Sequence, residues 1–205
     1  MRCLNESIAR RANQEDDCTG RFWEGRFRSQ ALLDEAGLLT CMSYVDLNPI
    51  RAGMATSLEE SDFTSIQQRL ADVAREHASD ETAAAHGACE RTTVRPELVQ
   101  FAEAGVTPGE ETLPVDFDSY VDLLKATGAT VRSGSPEAAL PDSAVRTLER
   151  LEIRSEHWLE TIRTYRQRFF SMIGCVHRIE LHRARTDRDQ AKGTRWAARV
   201  FRNCA

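Results

Sequence analysis

Where the apolar positions of this chain show a period, the period is mostly helical. In residues 34–48, DEAGLLTCMSYVDLN, the residues Leu38, Leu39, Met42 and Val45 recur at three- and four-residue steps, the spacing that lines one face of an α-helix. Asp34 precedes this run as an N-cap, and Glu35 stands in the first turn, where a negative charge meets the positive end of the helix dipole. The helix is expected to end near Asn48. Pro49 disfavours helical geometry in the residue before it, and Gly53 relaxes the following turn. A second helix is expected from about Thr64 to Glu76, capped by Ser61 or Asp62, with Ile66, Leu70 and Val73 inward.

The strongest helical stripe lies in SEHWLETIRTYRQRFFSMIG. Ser155 serves as its cap, Trp158, Ile162, Tyr165 and Phe169 share one face, and Gly174 closes it. RPELVQFAEAG, PVDFDSYVDLLKATG and PDSAVRTLERLEI read as shorter helices, and CVHRIELHRARTDRDQAKGTRWAARVF as one or two more with arginines outside. Upstream, NESIARRANQEDD reads as the tail of a helix leading to a turn at Gly20. RFWEGRFRSQALL instead alternates large apolar groups with arginines at a period near two, which suggests a strand or extended ribbon. The expectation is a mainly α chain with very little strand. HASDETAAAHGACERTT is small, polar and aperiodic, so a linker over 79–93 is expected between domains at 1–78 and 94–205.

Composition narrows the class without naming it. Apolar residues are 41% and charged residues 29% of 205, ordinary globular usage. No run approaches a membrane span and MRCLNESIARR lacks a signal peptide's apolar stretch, so a cytoplasmic protein without a membrane partner is expected. Cys3, Cys18, Cys41, Cys89, Cys175 and Cys204 contain no CxxC pair and read as free thiols. Charge is uneven. Residues 55–140 hold six Lys and Arg against sixteen Asp and Glu, whereas residues 141–205 hold fourteen against eight. Lys125 and Lys192 are the only lysines, so the positive charge is almost all guanidinium, a group suited to bidentate phosphate contact; arginine-favouring codon usage is the competing source of the same bias.

Three ordered elements carry a resemblance: Phe22 to Phe27 (FWEGRF), Tyr44 to Gly53 (YVDLNPIRAG) and Asp62 to Ser65 (DFTS). Together they resemble the C-terminal half of a single-tyrosine HUH transposase domain, nearest to the REP-associated tyrosine transposases, and PVDFDSYVDLLKATGATVRSGS resembles a later region of the longer members more loosely. The resemblance implies a remnant of a ferredoxin-like α+β domain, one strand plus the tyrosine helix, followed by a helical accessory region. It implies that Tyr44 is the nucleophile that cleaves and rejoins single-stranded hairpin DNA through a 5′-phosphotyrosine. It also implies that Asn48, four residues on, is a ligand of Mg²⁺ or Mn²⁺. A free phenol has a pKa of about 10 and needs such electrophilic help near neutrality.

The departure is in the metal ligands. The family's His-hydrophobic-His pair lies upstream of this region, and His77, His86, His157, His177 and His182 contain no H-x-H. The expectation is therefore a truncated transposase, impaired in cleavage on its own unless a second chain supplies the His pair. Arg21, Trp23, Arg26, Arg28 and Arg51 are the expected DNA contacts, since aromatics stack on splayed bases while arginines hold phosphates. Arg163, Arg166, Arg168, Arg178, Arg183, Arg185 and Arg188 suit a DNA backbone or a plain solvated helix face equally well. Two classes stay open: a strand-cleaving enzyme or its inactive remnant, and a non-catalytic DNA-binding protein.

Overall fold

A computed structural model describes residues 2–23, 25, 29–81, 98–103, 112–133, 140–186 and 193–202, with backbone only for Arg2 and 76–81. The described residues are mainly helical, with one two-stranded parallel sheet. They form two compact units, Met1–Ala31 and Leu32–Ala205. No helix among them is long and apolar enough to cross a membrane.

The first unit holds α1 (Arg2–Glu15), longer than the helix tail read from the sequence. Asn13 Nδ2 donates to Gly20 O at 3.1 Å, tying the helix to the turn after it. The ribbon expected from Arg21 onward is irregular at the described positions 21–23, 25, 29 and 30, and among the described residues of that segment strand geometry is found at β1 (Ala31–Leu32).

The second unit is built on α2 (Glu35–Asp46), and Asp34 caps it as expected, its Oδ1 accepting from Gly37 N at 2.7 Å. Pro49 does not stop the helical path. Leu47 stays in helical geometry and a further turn, α3 (Asn48–Arg51), follows with Pro49 inside its first positions. There the missing N–H of proline is one that a helix start leaves unbonded anyway. The N–H groups of Arg51 and Ala52 bond back to Leu47 and Asn48 at 2.9 Å, so the expected end near Asn48 is a joint between two helical pieces.

Burial on α2 departs from the apolar pattern. Val45 is 52% exposed, whereas Leu39, Thr40, Ser43 and Asp46 face the interior. α4 (Ser65–Glu81) matches the second expected helix, although only Ile66 of its three expected inward residues is fully buried. The expected helix over 95–105 is not helical at its described positions 98–103. Phe101 instead bridges to Leu113, with Leu113 N donating to Gln100 O at 2.7 Å.

α5 (Phe117–Ser133) and α6 (Asp142–Arg150) pack on each other, and α5 also meets α3 and α7 (Trp158–Arg168), which follows a 3-10 turn at Ser155–His157. The stripe Trp158, Ile162, Tyr165 and Phe169 is buried as its spacing predicts. Indole N–H groups need partners once buried. Trp158 Nε1 donates to Thr127 Oγ1 at 2.9 Å, and Trp196 Nε1 to Thr161 Oγ1 at 3.1 Å.

α7 ends at Arg168, six residues before Gly174. The chain turns extended at Phe169 and forms β2 (Met172–Ile173), whose buried side chains have no helical alternative that also pairs with β1. α8 (Val176–Thr186) and α9 (Thr194–Val200) complete the unit. Helices α2 and α3 pack on α5 and α7, so elements from both sides of the expected linker share one core; linker residues 82–93 lie outside the described residues.

Candidate functional site

The start of α2 is fixed by long-range contacts. Asp34 uses its second oxygen to accept from Cys175 N at 2.6 Å, joining the helix cap to the segment after β2. Two glycines make this approach possible. A Cβ on Gly37 would lie 2.8 Å from Ile173 O, and one on Gly174 would lie 2.9 Å from Asp34 Oδ2, at a φ of 156°. Neither position has room for a side chain.

Tyr44 lies two turns into α2 and is half-buried. Its ring stacks on Tyr165 of α7 with centroids 4.3 Å apart and planes at 18°. Arg51, from the end of α3, places its Cζ 4.3 Å from the same ring centroid. Such a stack contributes about 0.5–1.5 kcal/mol beyond area burial, and a partly exposed cation–π contact about 0.5–1 kcal/mol. The ring is thereby held on α2, with a guanidinium beside it. Asn48, the expected metal ligand, is exposed on the turn after α2.

Asp46, two residues along from Tyr44, is buried. Tyr120 Oη donates to its Oδ2 at 2.7 Å, Ser65 Oγ donates at 3.0 Å to Oδ1, and Ile66 N reaches Oδ1 at 3.4 Å. Asp46 therefore caps α4 from another helix and anchors α5 at the same time. Burial pushes its carboxyl above the usual carboxylate range, opposed by these hydrogen bonds and by the charge of Arg69. Burial, and then the Asp46 charge, push the Tyr120 phenol well above its ordinary value. Desolvation draws Arg69 below its usual value; its Nη2 donates to Val99 O at 2.7 Å and its Cζ lies 4.6 Å from the Phe101 ring centroid.

Asp46, Ser65, Tyr120 and Tyr165 were not singled out by the sequence for these roles. The available signal was weak: Asp46 and Ser65 lie inside YVDLNPIRAG and DFTS, which makes both segments fold-bearing whatever else they do.

The remaining expected contacts are placed as follows. Arg21 and Trp23 are exposed in the first unit, where Trp23 Nε1 donates to Asn5 O at 2.9 Å and its ring meets Phe22 edge-on at 4.8 Å. Arg26 and Arg28 lie outside the described residues, as do Arg188, Cys89, Cys204, His86 and the side chain of His77. Two of the C-terminal arginines that suit a DNA backbone or a solvated helix face equally well make contacts within the chain. Arg163 Nη2 donates to Thr130 O at 3.2 Å, and Arg168 pairs with Glu160 at 3.1 Å and lies 4.2 Å from the Trp196 ring centroid.

Among the described residues, no group of three or more His, Cys, Asp or Glu is arranged to hold a metal ion. Asn48 offers a neutral amide oxygen, and the carboxylate oxygens of Asp46 already accept from three donors. A Mg²⁺ or Mn²⁺ ion takes several oxygen ligands, so this donor set does not fit one. Compared with family models, with curated proteins and with solved structures, the chain gives no match.

Proposed function

We propose that the chain is a transposase-like DNA-processing protein whose Tyr44 face engages single-stranded or hairpin DNA. The observation that carries this reading is the Tyr44 ring held against Tyr165 with the Arg51 guanidinium 4.3 Å from its centroid. A fixed phenol beside a permanent cation is suited to a phosphodiester, because a guanidinium supplies the charge and the paired donors that hold a phosphate. On this reading β1 and α2 are parts of a ferredoxin-like catalytic domain.

The chemistry is a transesterification. Tyr44 Oη forms the bond to phosphorus and loses its proton, the bond from phosphorus to the 3′ oxygen breaks, and that oxygen takes up a proton. The products are a 5′-phosphotyrosine and a free 3′-hydroxyl, and the reverse step rejoins the strand. Because Asn48 and Asp46 do not make a cation site, cleavage on this reading depends on a His pair supplied from outside residues 1–205, and those residues by themselves bind without cutting. The second reading is a DNA-binding protein that does not cut: the oxygens of Asp46, two residues along from Tyr44, already accept from Tyr120, Ser65 and Ile66.

A labelled hairpin oligonucleotide separates the two. Binding by the wild type and by Tyr44→Phe, with a denaturant-resistant adduct formed only by the wild type in the presence of an HUH domain carrying the His pair, supports the enzyme. Binding without any adduct supports the second reading, and failure to bind overturns both.

A further inference from the structure

Of the thirteen arginines in the last 65 residues, Arg150, Arg154, Arg163, Arg168 and Arg199 make contacts within their own chain, and Arg146, Arg166, Arg195 and Arg202 are exposed at scattered positions. Arg154 Nη1 donates to Ala198 O at 3.0 Å and Arg199 O at 2.9 Å at the end of α9, and Arg199 lies 4.9 Å from the Trp196 ring centroid. Arg178 and Arg185 on α8 are different: both are exposed, and neither makes a hydrogen bond, ion pair or ring contact among the described residues.

The helical period puts these two residues on one side. Ile179 is buried and marks the inner face of α8. At about 100° per residue, Arg178 and Arg185 fall roughly 20° apart on one flank of the outer side, with Leu181 next to them and His177 and Ala184 beyond it, and all five are exposed. Glu180, the helix's one carboxylate, lies on the other flank. Arg178 and Arg185 stand seven residues apart, about 10 Å along the axis. Leu181, 46% exposed, lies between them. The surrounding segment, residues 176–202, holds eight Lys and Arg against three Asp and Glu in a chain whose net charge is -5.

We propose that the outer face of α8 is a docking surface for the phosphate backbone of DNA, with Arg178 and Arg185 as its two phosphate-holding groups. Charge complementarity selects this occupant. A polyanion gains from two uncommitted guanidinium groups at helical spacing, and each phosphate neutralised releases condensed counterions. The surface lies outside the Tyr44 site and binds DNA whether or not Tyr44 cuts it.

The test is fluorescence anisotropy of the full chain with a labelled hairpin oligonucleotide, comparing wild type, Arg178→Gln/Arg185→Gln and the exposed α6 control Arg146→Gln. Both α8 positions are solvent-facing, and circular dichroism checks that each variant is folded. The double variant is expected to bind about tenfold more weakly at low salt, and its slope of log affinity against log salt is expected to fall by about 1.8, roughly 0.9 for each phosphate no longer neutralised. The control should match the wild type. A double variant with wild-type affinity and slope overturns this inference and leaves the Tyr44 reading standing, whereas a wild type that binds no hairpin overturns both. A loss confined to binding of vesicles containing phosphatidylserine, with DNA binding intact, also overturns it and makes the stripe a membrane-facing one.

Discussion

Replacing Asp46 with Ala removes one acceptor that three helices share. The Tyr120 hydroxyl, 2.7 Å away and fully buried, is left without that acceptor, which costs about 1–3 kcal/mol. Ser65 Oγ at 3.0 Å and Ile66 N at 3.4 Å lose the cap of α4, a further 0.5–2 kcal/mol or so. Against this stands the relief of a carboxylate that burial disfavours. The net expectation is a loss of about 2–4 kcal/mol for Asp46→Ala, while Asp46→Asn, which keeps an acceptor oxygen for Tyr120 or Ser65, loses about 1 kcal/mol or less. pH gives the sign. The folded-state pKa of Asp46 is raised, so the folded state holds its proton more tightly, and stability is fully present below the unfolded value and declines as pH rises through the folded one. Asp46→Asn lacks this dependence and should gain on the wild type as pH rises above the ordinary aspartate range. Urea unfolding of both variants across that range checks the sizes and the sign. An Asp46→Ala cost below about 1 kcal/mol, or an Asn variant that loses ground as pH rises, would refute the view that Asp46 joins α2, α4 and α5.

Other expectations follow from single contacts. Tyr44→Phe keeps the stack and the cation–π contact and should leave thermal unfolding unchanged, whereas Tyr44→Ala should lower stability by about 1–2.5 kcal/mol in the same scans. Gly37→Ala drives a Cβ to 2.8 Å from the Ile173 carbonyl, a backbone atom with little freedom, and should cost about 1–3 kcal/mol in denaturant titration. Asp34→Ala loses both the Gly37 and the Cys175 N–H bonds and should cost about 2–3 kcal/mol; Asp34→Asn should recover part of that.

The helices were legible where local signals sufficed. Asp34 caps α2, and Trp158, Ile162, Tyr165 and Phe169 bury one stripe, because capping and helical period depend on residues close in sequence. The buried face of α2 was not legible. Its polar members Thr40, Ser43 and Asp46 are inside because Asp46 finds Ser65 and Tyr120, 19 and 74 residues away, and an apolar pattern counts only apolar residues. Pro49 misled for a related reason: the sequence signal marks a stop, while the structure uses proline at the start of a new turn. β2 was hidden because Met172 and Ile173 fit the end of a helix equally well until β1 is there to pair with. At the candidate site, Tyr44 and Arg51 stood in one short motif, but Tyr165, which fixes the ring, comes from 121 residues further on.

The most direct test of DNA at the Tyr44 face is photocrosslinking of a 5-iodouracil-substituted hairpin, followed by trypsin and mass spectrometry. A nucleotide adduct is expected on Tyr44 in the peptide 29–51, and its loss is expected in Arg51→Gln, where Tyr44 lies in the longer peptide 29–69. Efficient crosslinks elsewhere on the chain, with that peptide unmodified, would contradict a DNA-engaging Tyr44.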